Sequence, residues 1–179
     1  IVKKLLRGYC VINSVWQTIL DGIHSVEVPA AQFIAPLSDH AVIAVNGPDA
    51  ATYLQGQISC DANQATQVAQ LGCCCNVKGR MQAIFHLFTL SAEDSQQPNY
   101  YLSLPATMIE STIARLKQYA MFSKVEIAGN EEIVGFGCYS PGKLPALNNK
   151  QVTVVDLGYD CYEIYLRTTE LPRFWQQLA

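Results

Sequence analysis

Residues 71–90 read LGCCCNVKGRMQAIFHLFTL and contain two strand-like runs separated by a short turn. Two largely apolar runs, 71–76 and 80–90, flank the triplet Val77-Lys78-Gly79. Gly79 can adopt the positive φ that a tight reversal needs, so the stretch predicts a β-hairpin. The second run is apolar on both of its faces, which predicts a strand in the interior of a sheet.

Short strands and helices are predicted on both sides of this hairpin. Upstream, residues 41–45 form a buried strand, and Gly47-Pro48-Asp49 opens a helix because proline and an acid both suit a first turn. Downstream, a helix begins at Pro105, and another runs over 169–178. This mixed order predicts an α+β fold with a largely antiparallel sheet and packed helices. Further strands are predicted over 100–104, 125–128, 133–139, 151–156 and 162–167.

The composition narrows the class of protein. Half of the 179 residues are apolar, yet no run approaches the ~20 apolar residues of a membrane helix, so no membrane association is expected. The formal charge is −3 with 12 scattered Lys and Arg, which argues against direct nucleic-acid binding. Seven cysteines, three of them consecutive, do not resemble a disulfide framework. These features predict a cytoplasmic protein with reduced thiols.

The cysteine triplet Cys73-Cys74-Cys75 raises the question of a metal site. Adjacent residues of a strand point to opposite faces, and cluster ligands usually come as spaced pairs. We therefore expect small buried apolar side chains here and no metal site. His86, between two apolar neighbours, is expected to be a hydrogen-bonded core residue.

Three segments, in this order, carry a family resemblance: YLQGQISCD at 53–61, NVKGRM at 76–81 and LKQYAMFSKV at 116–125. Together they resemble the YgfZ family of the aminomethyltransferase-like (GcvT-like) superfamily. The resemblance implies that residues 37–179 form a GcvT/YgfZ-like folate-binding domain, the N-terminal part of a longer protein. Residues 1–36 are left as an N-terminal extension of uncertain assignment, with a helix predicted over 11–20. A Gly-Cys-Tyr stretch at 137–139 matches a family motif only superficially and is interpreted as a strand end.

The resemblance also implies a function. It implies a tetrahydrofolate-binding accessory protein for iron–sulfur cluster assembly or repair, whose clients are iron–sulfur proteins, tRNA-modifying enzymes among them. In the aminomethyltransferases, the strand after the glycine turn carries a catalytic Asp. The matching position here is Ala83, beside Ile84, and neither can transfer a proton. We therefore expect no catalytic residue and no aminomethyl transfer. Two alternatives stay open: a glycine-cleavage-type aminomethyltransferase using another acid, such as Asp61, or a docking scaffold independent of folate.

Polar residues at the edges of the three segments are the candidate folate contacts. A reduced pterin needs an apolar slot, a few placed hydrogen-bond partners, and ideally a carboxylate or amide for its amino-pyrimidine edge. Other roles compete: solvated turn residues, helix-end hydrogen bonding and turn capping. The candidate set is Gln55, Gln57, Asp61, Asn76, Lys78, Arg80 and Gln82.

Overall fold

The computed structural model describes residues 33–90, 98–142 and 151–178. The helices are α1 (Ala50–Gln55), α2 (Ile109–Gln118) and α3 (Leu171–Leu178). The strands are β1 (Phe33–Pro36), β2 (His40–Asn46), β3 (Gln70–Cys75), β4 (Met81–Leu90), β5 (Asn99–Pro105), β6 (Glu126–Asn130), β7 (Ile133–Tyr139), β8 (Val152–Gly158) and β9 (Cys161–Arg167).

The strands form two antiparallel sheets. The five-stranded sheet has the order β3-β4-β5-β2-β6, and the four-stranded sheet has the order β1-β7-β9-β8. The predicted α+β class with antiparallel pairing is confirmed, and β4 lies inside its sheet as predicted. The division into two sheets was not predicted, because alternation along a strand tells which face is buried but not which sheet the strand joins.

Three packed clusters stack these elements into layers. On one face of β4, Phe85 and Leu87 pack with Leu54 of α1 and Leu116 of α2. On the other face, Phe88 stacks on Tyr165 of β9, with ring centroids 4.5 Å apart. The third cluster places the far side of the four-stranded sheet against Phe174 of α3. The order of layers is therefore helices, five-stranded sheet, four-stranded sheet and helix.

The ends of the chain were less readable from sequence. β1 lies within the segment assigned as an extension and pairs with β7, Ile34 opposite Cys138. The helix predicted over 11–20 lies outside the described residues, and the domain assignment stays a prediction. β7 ends at Tyr139, which confirms that the Gly-Cys-Tyr stretch is a strand end. Among the described residues, every helix is too short or too polar to cross a bilayer.

Candidate functional site

An arginine on α2 contacts residues within or directly beside the three segments that carried the resemblance. Arg115 donates hydrogen bonds to Gln82 Oε1 (3.1 Å), to Gln57 Oε1 (3.4 Å) and to the backbone carbonyl of Cys75 (2.8 Å). Its guanidinium carbon lies 4.2 Å from the centroid of the Tyr119 ring. A guanidinium presents its donors in a rigid planar fork. Arg115 therefore fixes the β3–β4 hairpin and the segment after α1 relative to α2.

A cleft of about 340 Å³ adjoins this cluster. Its volume lies at the small end of ligand sites, which span roughly 300–1,000 Å³. At one end, Asp49 Oδ2 accepts a hydrogen bond from the backbone N–H of Lys124 (2.7 Å). Burial raises the pKa of Tyr53 to about 12, and its hydroxyl donates to a backbone carbonyl of α2. The cleft is lined by Asp49, Thr52, Tyr53, Gly56, Gln57, Tyr119 and Ser123.

Four of the seven predicted folate contacts have other neighbours in the structure. Gln55 Oε1 accepts from the backbone N–H of Ala62 (2.9 Å), and Asp61 Oδ1 accepts from that of Asn63 (2.8 Å). These are the helix-end and turn-capping roles that the sequence left open. Gln57 and Gln82 meet at Arg115. Folate contact by these four residues stays a prediction.

The other three predicted contacts lie at the tip of the hairpin. Asn76 Oδ1 accepts from the backbone N–H groups of Lys78 (2.9 Å) and Arg80 (3.0 Å). Gly79 has φ +72°, as predicted for this turn. Asn76 thus builds the reversal, whereas Lys78 and Arg80 are exposed.

A buried carboxylate that was not among the predicted site residues joins the two sheets. Glu163 on β9 is only 9 % exposed. Its Oε2 accepts from the Tyr165 hydroxyl (2.7 Å) and lies 2.7 Å from Nδ1 of His86 on β4. The predicted hydrogen bond of His86 is therefore confirmed. One signal could have identified Glu163: it is an acid with apolar or aromatic neighbours on both sides within a predicted strand.

Glu163 is held in its ionised form. Burial by itself raises the pKa of this carboxyl, but the hydrogen bonds from His86 and Tyr165 and the attraction of His86 bring it below its ordinary value. Burial and the neighbouring carboxylate raise the pKa of Tyr165, so its hydroxyl stays a donor. The network is a fixed acceptor supported by two donors.

Beside this carboxylate lies a partly uncovered sheet surface, which we call the open face: Leu71, Cys73, Ile84 and His86. Leu71 lies opposite His86, and Cys73 lies opposite Ile84, so the four side chains share one side of the β3–β4 pair. Leu71 is 68 % exposed and Ile84 is 49 % exposed. Ile84 belongs to the run that was predicted to be an interior strand, and its exposure was not predicted. The pairing of β4 with β5 stops at His86, so the hairpin extends past the body of the sheet.

The cysteine triplet also differs from expectation. Cys74 is buried, as predicted, but Cys73 and Cys75 are only half-buried. The register shifts between Cys74 and Cys75, and the Sγ atoms of Cys73 and Cys75 approach to 3.9 Å. The expectation that all three are buried is therefore wrong for Cys73 and Cys75. These two lie on the same face because residues two apart on a strand share a face.

Replacing the arginine tests its connecting role. We expect Arg115→Lys to lower the free energy of unfolding by about 1 kcal/mol, because an ammonium cannot reproduce the planar fork of three hydrogen bonds. Urea denaturation measures the change, with Lys117→Ala as the control, since Lys117 is an exposed cation on the same helix. Equal stability of Arg115→Lys and the wild type would show that the cluster does not hold the segments together.

Comparison with known proteins gives both sequence and structural relatives. The chain is 35% identical over 102 residues to the tRNA-modifying protein YgfZ of Aliivibrio fischeri, covering 56% of this chain and 30% of that protein. It is 33% identical over 144 residues to an uncharacterized protein of Haemophilus influenzae, covering 79% of this chain and 47% of that protein. The chain thus matches less than half the length of these relatives. No protein-family model matches.

Among solved structures, the glycine cleavage system aminomethyltransferase T of Bartonella henselae is similar, with a TM-score of 0.63 and 18% sequence identity. The alignment covers 83% of this chain and 45% of that chain. At this level of identity the likeness concerns the fold.

Proposed function

We propose that this chain, which is similar in sequence to YgfZ proteins and has a GcvT-like fold, binds a reduced folate and serves iron–sulfur proteins as an accessory factor. The pterin lies on the open face, with its amino-pyrimidine edge toward Glu163. The observation that carries this proposal is the buried, ionised carboxylate at the border between the two sheets, next to exposed apolar side chains.

The polar half of the proposed site is Glu163. A pterin presents N–H donors along its amino-pyrimidine edge, and a carboxylate is an acceptor that matches them. His86 and Tyr165 both bond to Oε2, so the other carboxylate oxygen takes part in neither bond. Because the pKa of Glu163 is lowered, this acceptor is charged at neutral pH, and its hydrogen bonds to the ligand are charge-assisted.

The apolar half is formed by Leu71 and Ile84. Covering an exposed aliphatic side chain yields at most about 1.5–3 kcal/mol, whereas micromolar affinity needs roughly 8 kcal/mol. Two such contacts therefore leave a deficit that the hydrogen bonds at Glu163 and further contacts have to supply. The less buried end of a folate bound there lies toward three polar residues of the same hairpin, Lys78, Arg80 and Gln82.

The same chemistry favours binding over proton transfer. A general base works best with a pKa near the working pH, and that of Glu163 is shifted away from neutrality. Asp61, the acid that an aminomethyltransferase alternative would use, caps its own turn. Ala83, at the position of the family's catalytic Asp, is buried in the helix-side core.

The accessory role extends the proposal to a cellular context. The relatives in Aliivibrio and Vibrio are named tRNA-modifying proteins. We propose that this chain acts in the cytoplasm through iron–sulfur client proteins, including enzymes of tRNA modification, without contacting nucleic acid itself. The six cysteines among the described residues are free thiols, which fits a reducing compartment.

Calorimetric titration of tetrahydrofolate tests the proposal directly. We expect saturable binding to the wild type and a loss of affinity of about tenfold or more in Glu163→Gln, because the amide offers half its polar surface as a donor and carries no charge. Glu126→Gln is the matched control, since Glu126 is an exposed acid on β6 and its replacement makes the same change in charge.

Absence of binding to the wild type would overturn the folate proposal. Equal tetrahydrofolate affinities of Glu163→Gln and Glu126→Gln would show that the folate site does not include Glu163. Client proteins that associate equally well with and without folate would favour a scaffold.

A further inference from the structure

Two thiols of the cysteine triplet converge on one side of the hairpin. Cys73 and Cys75 are half-buried, and their Sγ atoms lie 3.9 Å apart. Cys74, between them, is buried against the helix-side core. Residues two apart on a strand share a face, so Cys73 and Cys75 lie on the same side of β3, opposite a bulge whose extra residue is Gln82 of β4.

This separation suits chelation of a soft metal ion. Zinc binds thiolates at about 2.3 Å in tetrahedral geometry, which places two sulfur ligands roughly 3.8 Å apart. Thiolate pairs select thiophilic ions over hard ones such as magnesium and calcium. The pair therefore needs little rearrangement to hold zinc or a similar ion.

The charges around the pair influence the cost of deprotonation. Loss of solvent and the adjacent Cys73 thiol raise the pKa of Cys75, whereas Arg115 of α2 acts in the opposite direction. Arg115 is held beside Cys75 by its hydrogen bond to the Cys75 carbonyl. Burial is the main cause that raises the pKa of Cys60, which lies in the segment before β3. The nearby Cys73 thiol raises that pKa further. Metal binding here thus exchanges thiol protons for the ion, so affinity should rise with pH.

We propose that Cys73 and Cys75 form a two-thiolate site for a thiophilic divalent ion of the zinc class, built by the converging sulfurs on the β3 strand. Binding converts two thiols to thiolates and releases two protons, with no change of oxidation state. Among the described residues, no group of three potential ligands occurs, so water or an external donor completes the coordination. Such an incomplete site suits exchange of the ion with a partner, because sites that hold zinc for structure are closed by four protein ligands. The site does not depend on folate binding, and its test uses no folate.

Cadmium is the probe, because thiolate coordination of Cd²⁺ gives an ultraviolet charge-transfer band. We titrate CdCl₂ into the protein kept reduced with a phosphine and follow this band. Cys73→Ser and Cys75→Ser should each weaken binding by about tenfold or more. Cys74→Ala and Cys138→Ser are matched controls: the first removes the neighbouring thiol that points to the core, and the second a half-buried thiol on the other sheet.

The outcomes separate a built site from general thiol reactivity. Loss confined to the Cys73 and Cys75 variants, with two protons released per ion by calorimetry in two buffers, supports the site. No band in the wild type overturns it. So does equal weakening in all four variants, provided that circular dichroism shows each variant folded. Zinc competition against the cadmium band then gives the zinc affinity of the wild type.

Discussion

Glu163→Ala is expected to lower the free energy of unfolding by about 3 kcal/mol at neutral pH, since breaking a buried polar pair leaves its partners without an acceptor. The Tyr165 hydroxyl and Nδ1 of His86 both point at the lost oxygen, each at 2.7 Å. Both partners sit between two packed sheets, where water cannot fully replace the carboxylate. This loss of unfolding free energy is at the low end for buried pairs, because the side chains of His86 and Glu163 are still 17% and 12% exposed to solvent.

The pH dependence of this loss has a definite sign. The pKa of Glu163 is lower in the folded protein than its ordinary value of 4.5, so the unfolded chain binds the proton more readily. Its contribution to stability is therefore fully present above pH 4.5 and is lost as pH falls through the folded-state value. The difference in unfolding free energy between wild type and Glu163→Gln should shrink in acid.

Urea denaturation from neutral pH down to about pH 3 measures this difference. Glu126→Gln again serves as the control, because an exposed carboxylate should give a small difference at every pH. A gap between wild type and Glu163→Gln that stays constant, or widens in acid, would contradict the assignment of Glu163 as the ionised partner of His86.

Local chemistry explains which elements the sequence predicted well. The turn at Gly79 and the two strands beside it depend on residues within a few positions of one another, and both strands end within two residues of their predicted limits. The opening of α1 at Gly47-Pro48-Asp49 is of the same kind. Patterns among residues that are close in sequence can be interpreted without knowing the rest of the fold.

The candidate site depends on contacts between distant parts of the chain. Glu163 meets His86 across 77 residues, and Arg115 reaches Gln57 across 58. Neither pairing leaves a local pattern. Gln82, one of the predicted folate contacts, is instead bonded to Arg115. Alternation along β3 puts Cys73 and Cys75 on one face, but the bulge opposite them at Gln82 leaves no signal in the local sequence pattern.

Gly47→Ala is expected to cost more than about 3 kcal/mol of unfolding free energy, or to prevent folding, because two separate penalties act at this position. Gly47 has φ +122°, a conformation that residues with a side chain adopt only under strain. A Cβ here would also lie 2.3 Å from the carbonyl oxygen of Lys124 and 3.1 Å from Cα of Val125. These are backbone atoms, which cannot rotate away as a side chain can.

The surrounding contacts make relief of this clash expensive. Lys124 donates its backbone N–H to Asp49 Oδ2 at 2.7 Å, so moving its peptide strains the bond that closes one end of the cleft. Gly79→Ala is the matched control, since Gly79 also has positive φ (+72°) but a Cβ there would meet no atom within 4 Å. That control should lose only about 1–2 kcal/mol, the conformational cost alone. Thermal and urea unfolding of both variants separate the two penalties. If Gly47→Ala loses no more stability than Gly79→Ala, the loop between β2 and α1 does not pack against Lys124 as closely as the structure has it.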